Sequence, residues 1–229
     1  PADRDSLTIN FGDGIEETIP RDSETLLTPV VKKNTYTTTY TYGGISTYVI
    51  YVIDPNRVDG IINISGSVNV PFCLIDTLKM PDPLTLGYNS SPVLDLDPVD
   101  YANVGQIFTH NPGAWDPDGD SLHFTLIVPK QAPNMDVPGY IFPQDVDTSC
   151  FDSFTIDPNT GEIVWNAPCL KGIYNIAILI QEFRDGVCLG SMVRDMEIFV
   201  ECNENRPPVI AELRDTCILA GQSLNITVN

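Results

Sequence analysis

Apolar and polar positions alternate along much of the chain with a period of two, the pattern of strands that bury one face. Over 122–128, Leu122, Phe124, Leu126 and Val128 fall on one side, with His123 and Thr125 on the other. Over 35–42, Tyr36, Thr38, Tyr40 and Tyr42 share one face and four threonines share the other. Further strands are predicted over 47–53, 162–165, 173–180 and 192–200, each rich in β-branched or aromatic residues. The punctuation between them is turn chemistry. Gly43-Gly44 and Asp54-Pro55-Asn56 bound one strand, and Asp157-Pro158-Asn159-Thr160-Gly161 presets a turn before another. Many short strands separated by such turns predict an all-β fold of tandem immunoglobulin-like or cadherin-like β-sandwich modules. Trp165 reads as core and Trp115 as partly exposed.

A self-match organises the chain further. Asn89-x-x-Pro92-Val93 returns as Asn205-x-x-Pro208-Val209, and Gly105-Gln106 returns at the same offset as Gly221-Gln222. Asn-x-x-Pro-Val reads as a linker entering a strand, because proline forces extended backbone and donates nothing to a ladder. The repeat divides the chain into a first module over 1–80, a second over 81–203, and the start of a further repeat over 204–229.

Composition narrows the class. Against 31 Asp+Glu stand only 12 Lys+Arg, a net charge of −19. Such a chain repels phosphate backbones and anionic bilayers, which argues against nucleic acid as a partner. No apolar run approaches the roughly 20 residues that span a bilayer, so no direct membrane insertion is expected. The polar start at Pro1-Ala2-Asp3 is no signal peptide, and the chain reads as a mature or excised piece. Six cysteines, none in a Cys-x-x-Cys pair, fit an exported protein with disulfides better than a zinc site. Neighbouring positions suggest Cys150–Cys169 and Cys202–Cys217, which leaves Cys73–Cys188.

The candidate chemistry is concentrated in Asp116-Pro-Asp118-Gly-Asp120. Alternate carboxylates in a glycine-containing loop can aim oxygens at one point, where Ca²⁺ offsets their repulsion. Equally, Asp116 and Asp118 can serve as turn residues that accept backbone amides. Asn10-Phe-Gly-Asp13-Gly14 is a second such loop, read as a hairpin turn. Sequons stand at Asn63, Asn89 and Asn225. Of the familiar catalytic motifs, the Gly-x-Ser-x-Gly elbow, the phosphate loop and the zinc helix are all missing. The segment 129–153, with Asp136, Asp145, Asp147 and Asp152, is the only loop long enough to set two acids across a cleft.

Several segments together carry a family resemblance. They are Phe11-Gly-Asp-Gly14, Asp54-Pro-Asn-Arg57, Ile62 to Phe72, Asn89 to Leu94, His110 to Leu122, Gly161 to Trp165 and Arg194-Asp-Met196. This series resembles the N-terminal region of large Bacteroidota surface proteins that carry a gliding-motility-associated C-terminal sorting domain. The resemblance implies export by the type IX secretion machinery and an extracellular, cell-surface location. It implies a PKD-like first module, although Ile9-Asn10 stands where that family places tryptophan. It also implies a second module similar to bacterial cadherin-like repeats, whose Asp-x-Asp-x-Asp loop binds calcium near a module junction. Asp116, Asp118 and Asp120 match that motif. The same surface proteins favour O-glycosylation at Asp-Ser/Thr-aliphatic, a pattern met at Ser6, Thr77 and Ser121. The expectation is therefore a structural or adhesive array without enzymatic activity, contacting its neighbouring modules and surface glycans or other cells. The alternative is a carbohydrate-binding accessory module of a polysaccharide-degrading protein, with Trp115 as the test position.

Overall fold

The computed structural model describes residues 4–150, 152–202 and 221. The expected repeat over 204–229 and the Cys202–Cys217 pairing therefore lie outside the described residues. The first segment supplies β1 (Ser6–Asn10), β2 (Glu16–Pro20), β3 (Ser23–Thr28), β4 (Val31–Thr35), β5 (Thr47–Asp54) and β6 (Phe72–Lys79). Short elements follow in β7 (Val93–Leu94), β8 (Val99–Asn103), β9 (Ile107–His110) and β10 (Ala114–Trp115). After them come β11 (Ser121–Ile127), β12 (Lys130–Ala132), β13 (Met135–Asp136), β14 (Ser153–Ile156) and β15 (Ile163–Asn166). Two long strands, β16 (Gly172–Arg184) and β17 (Val187–Glu201), complete an all-β chain.

The second segment is a β-sandwich with immunoglobulin-like strand order. One layer is β11-β16-β17, with β8 running parallel to the far half of β17; the other is β14-β15-β9. In immunoglobulin terms these are the C-F-G and D-E-B layers. Their inner faces meet in one core of Phe108, Phe124, Phe154, Trp165, Tyr174, Ile176, Ile178, Ile180 and Ile198. Trp165 is fully buried at its centre and packs edge-on against both Phe154 and Tyr174. The turn before β15 needs Gly161. Its φ is +73°, and a Cβ there would lie 2.8 Å from the Phe124 ring.

Strand β16 explains why 173–180 reads as an apolar run broken only by Asn175, Ile-Tyr-Asn-Ile-Ala-Ile-Leu-Ile. Both of its faces are covered, as in strands at the middle of a layered fold. Tyr174, Ile176, Ile178 and Ile180 face the sandwich core. On the opposite face Ile173 packs against a smaller cluster of Ile61, Ile64 and Val137, delivered by the segments 58–70 and 137–140. Asn63 is 1% exposed there and holds Asn175 by two backbone-directed hydrogen bonds of 2.8 and 2.9 Å. That burial removes the Asn63 sequon as a glycan acceptor.

The main sheet also runs across the expected boundary at 80/81. Its order is β2-β1-β5-β6-β17-β16-β11, and β6 pairs with β17 through Leu78↔Gly190, Thr77↔Ser191 and Asp76↔Met192. A buried ionic network fastens the two segments on one face of that sheet. Arg57 donates to Asp195 Oδ1 and Asn175 Oδ1, each at 3.2 Å, and to the Lys130 carbonyl at 2.9 Å, and it lies 2.9 Å from Asp195 Oδ2 as an ion pair. Its guanidinium lies over the Phe72 ring, 5.2 Å from the centroid. Arg57 and Asp195 are 3% and 5% exposed, so each charge depends on the other.

Two expectations for the first segment are revised. The tyrosine run 35–42 is not a ladder strand beyond Thr35, where β4 ends. Its alternation nevertheless holds in space, because three of its hydroxyls reach one stretch of chain. Tyr36 bonds the Arg4 carbonyl, Tyr40 the Asp13 carboxylate and Tyr42 the Phe11 carbonyl. Phe11, Tyr40, Tyr42 and Tyr48 form an aromatic file. The Phe-Gly-Asp-Gly loop is the β1–β2 hairpin turn, and Gly12 is obligatory in it: a Cβ there would sit 2.5 Å from the Val49 amide nitrogen.

The second revision concerns disulfides. Cys150–Cys169 forms as expected, with Cα atoms 6.4 Å apart. Cys73–Cys188 does not, and both thiols are free. Cys73 lies at the start of β6, opposite Ile53, whereas the Cys188 carbonyl is held by Lys79 at the other end of that strand. Six residues of strand separate them by about 20 Å, far beyond the reach of a disulfide.

Candidate functional site

The Asp loop joins β10 to β11, and its turn is fixed by the first aspartate. Asp116 Oδ1 accepts the amides of Asp118 at 2.8 Å and Asp120 at 3.0 Å. Gly119, at φ +84°, closes the turn by donating to the Asp116 carbonyl. This is the turn chemistry expected of the loop, and it gathers the carboxylates as well. One oxygen from each of Asp116, Asp118 and Asp120 lies within 4.8 Å of the others.

Two residues from the end of β16, both missed in the sequence, complete the cluster. Arg184 grips Asp120 through Nε at 2.8 Å and a terminal nitrogen at 2.6 Å, and lies 3.6 Å from Asp118. The same guanidinium binds the carbonyls of Leu86 and Tyr88 and the Asn89 side chain. The Ser90 amide donates to Asp118 Oδ2 at 2.6 Å, so the linker 86–90 is wrapped onto the loop. Arg184 therefore already balances Asp120 and part of Asp118.

Glu182 is the second. It is 1% exposed, and its Oε1 has no hydrogen-bond partner among the described residues. Asp116 Oδ2 is buried and equally unpartnered. Burial pushes the Glu182 carboxyl up to about 7, Asn89 opposes the shift, and the charges of Asp116 and Asp120 add to it. The donor set gathered closely enough for a hard divalent cation is that of Asp116, Asp118 and Asp120, and the buried Glu182 acts on it through its charge. The signal was present in the strand period. Glu182 shares the parity of Ile176, Ile178 and Ile180, a charged residue on a core-facing register.

The remaining candidates are dispersed. Trp115 is 49% exposed beside the loop, and Tyr88 on the wrapped linker is 86% exposed. His110 is buried with Nδ1 2.8 Å from Asp100, while His123 points outward. Three of the four acids of 129–153 are engaged locally. Asp136 pairs with Lys130, Asp147 caps Ser149, and Asp152 accepts the Trp165 indole at 2.7 Å. No helix among the described residues is long and apolar enough to cross a membrane.

These buried acids set a pH dependence. Burial raises Asp76 to about 6 and both Glu182 and Glu197 to about 7. The folded chain then holds more protons than the unfolded one between their ordinary values and these. Their stabilisation is complete below pH 4 and is lost as pH rises towards 7. His110 acts oppositely, since burial lowers it and its contribution is lost as pH falls below about 6.5. The melting temperature at pH 6 is expected to exceed that at pH 8 by several degrees, measured by calorimetry.

No family model matches the chain, and no curated protein matches it. Among solved structures, one of tandem Ig repeats of Dlar is similar to it, at 10% identity and a TM-score of 0.26. That likeness covers 70% of this chain and 91% of the other. At this score it carries no weight beside the strand order described above.

Proposed function

We propose that the chain is a non-enzymatic structural or adhesive part of a large secreted cell-surface protein, stiffened by calcium at Asp116, Asp118 and Asp120. The observation that carries this reading is the gathering of one oxygen from each of the three aspartates, with Asp116 Oδ2 buried and without a donor among the described residues. Calcium supplies positive charge to oxygens of the three aspartates and offsets the charge of the buried Glu182 beside them. Because Arg184 already balances Asp120, the ion and the guanidinium divide the acidic cluster between them. The consequence is mechanical. Linker 86–90 passes directly over the cluster, so neutralising it fixes the angle at which the chain enters the sandwich. The Cys150–Cys169 disulfide suits an oxidising extracellular setting, and the acidic surface suits solubility there. Export by the type IX machinery and contact with neighbouring modules or surface glycans belong to this reading through the Bacteroidota resemblance.

The mechanical claim is tested by stretching single molecules of the chain in calcium and then in chelator. The expected result is a lower unfolding force in chelator, and the same low force for Asp118→Ala in either condition. Equal forces in all conditions would remove calcium from the account.

One observation favours the carbohydrate-binding alternative: Trp115 and Tyr88 both expose their rings beside the acidic loop. Saturable glycan binding abolished by Trp115→Ala would support it.

A further inference from the structure

The linker 86–90 holds the only asparagine of the chain that is followed by serine, Asn89-Ser90, and no asparagine is followed by glycine. A small residue after asparagine leaves its backbone nitrogen free to approach the side-chain amide. The linker lies at the surface, where Tyr88 is 86% exposed, so water reaches it. Arg184 nevertheless fixes its backbone, through the carbonyls of Leu86 at 2.7 Å and Tyr88 at 2.9 Å.

Three side chains from the sandwich meet the reactive atoms of this pair. The Ser90 N–H donates to Asp118 Oδ2 at 2.6 Å, within the reach required of a general base. The Asn89 side-chain oxygen accepts a terminal nitrogen of Arg184 at 3.0 Å. That guanidinium draws electron density from the amide carbon and is placed to stabilise an oxyanion there. Glu182 takes a hydrogen bond from the Asn89 side chain, whose only donor is its nitrogen. A carboxylate on the nucleophile, a cation on the carbonyl oxygen and a carboxyl on the departing nitrogen are the aids that opening an amide calls for.

We propose that Asn89 is a self-modification site, where the fold promotes deamidation of its own side chain. The Ser90 nitrogen attacks Asn89 Cγ as its proton passes to Asp118, and the new nitrogen–carbon bond closes a five-membered succinimide. The Cγ–Nδ2 bond breaks, the proton held by Asp118 ends on the departing nitrogen, and ammonia leaves. Water opens the ring at either carbonyl and yields aspartate or isoaspartate, with no change of oxidation state. The product gives Arg184 a carboxylate in place of a neutral acceptor, and the isoaspartyl form lengthens the backbone where the linker is clasped. The change accumulates with time and requires no enzyme. It does not depend on calcium, and its test is run in excess chelator, where Asp118 is free to act as base.

The test incubates the whole chain at pH 8 and follows residue 89 by peptide mapping and mass spectrometry, beside a free peptide of residues 86–91. Asn89 of the folded chain is expected to deamidate at least about tenfold faster than the peptide, the low end of what a positioned acid or base supplies. Both aspartyl and isoaspartyl products are expected, the signature of the ring. The unmodified chain in denaturant is expected to fall to the peptide's rate, which tests the fold's part without a substitution. Asp118→Ala and Arg184→Gln, each checked for a native melting transition, are expected to slow the reaction several-fold. A folded chain no faster than the peptide, an aspartyl product alone, or an undiminished rate in folded Asp118→Ala would overturn the inference.

Discussion

Arg57→Ala is expected to lower the melting temperature of the whole chain by roughly 10 °C while leaving a single transition. The substitution strands Asp195, which is 5% exposed and has both carboxylate oxygens turned to the guanidinium. Removing one partner of a buried pair costs about 3–5 kcal/mol, and each kcal/mol moves the midpoint of a chain this size by about 2–4 °C. The single transition follows from the position of the pair. Arg57 belongs to the first segment and Asp195 to β17 of the second, and the same two segments share the β6–β17 ladder. The double variant Arg57→Met with Asp195→Leu replaces the pair by apolar volume and is expected to recover most of the loss. Calorimetry reads both quantities. Two separated transitions in the unmodified protein would show that the segments fold independently.

Glu182→Gln is expected to have the opposite sign in the absence of calcium. At pH 8 the native Glu182 is driven to ionise while buried beside Asp116 and Asp120. An amide keeps the volume, removes the charge and can donate to the orphaned Asp116 oxygen. A gain of about 1–3 kcal/mol follows, with a flatter melting profile between pH 6 and pH 8. In calcium the gain is expected to shrink, because the ion's charge relieves the ionised Glu182 of the unmodified protein as well. A variant no more stable than the parent in chelator would mean that the Glu182 carboxyl is satisfied by groups outside this account.

The sequence carried the all-β class and most of the second segment because a strand announces itself by period and turn residues. Leu122, Phe124 and Leu126 face the core as their alternation requires, and Trp165 lies at its centre. The three aspartates are gathered as their spacing suggested. What escaped was every contact between distant parts of the chain. Arg57 and Asp195 are separated by 138 positions, and neither carries a local pattern that marks it as buried. Arg184 and Glu182 reach the Asp loop from the far end of β16, and only the parity of Glu182 gave a sign of it. Cysteine pairing followed proximity for Cys150–Cys169 and failed for Cys73, whose strand register no sequence spacing reveals. The tyrosine run illustrates the reverse case. Its alternation correctly orients the rings, yet alternation alone does not supply a ladder partner.

Calorimetric melting with millimolar calcium and with excess chelator tests directly whether the Asp loop is a calcium site holding the linker to the sandwich. A ligand bound only by the native state raises the midpoint, by about 2.7 kcal/mol of stability at a concentration one hundred times Kd. A calcium-dependent rise is expected in the unmodified chain and none in Asp118→Ala. A midpoint that is the same in calcium and in chelator for the unmodified chain would contradict it, and the loop would then be a turn neutralised by Arg184 alone.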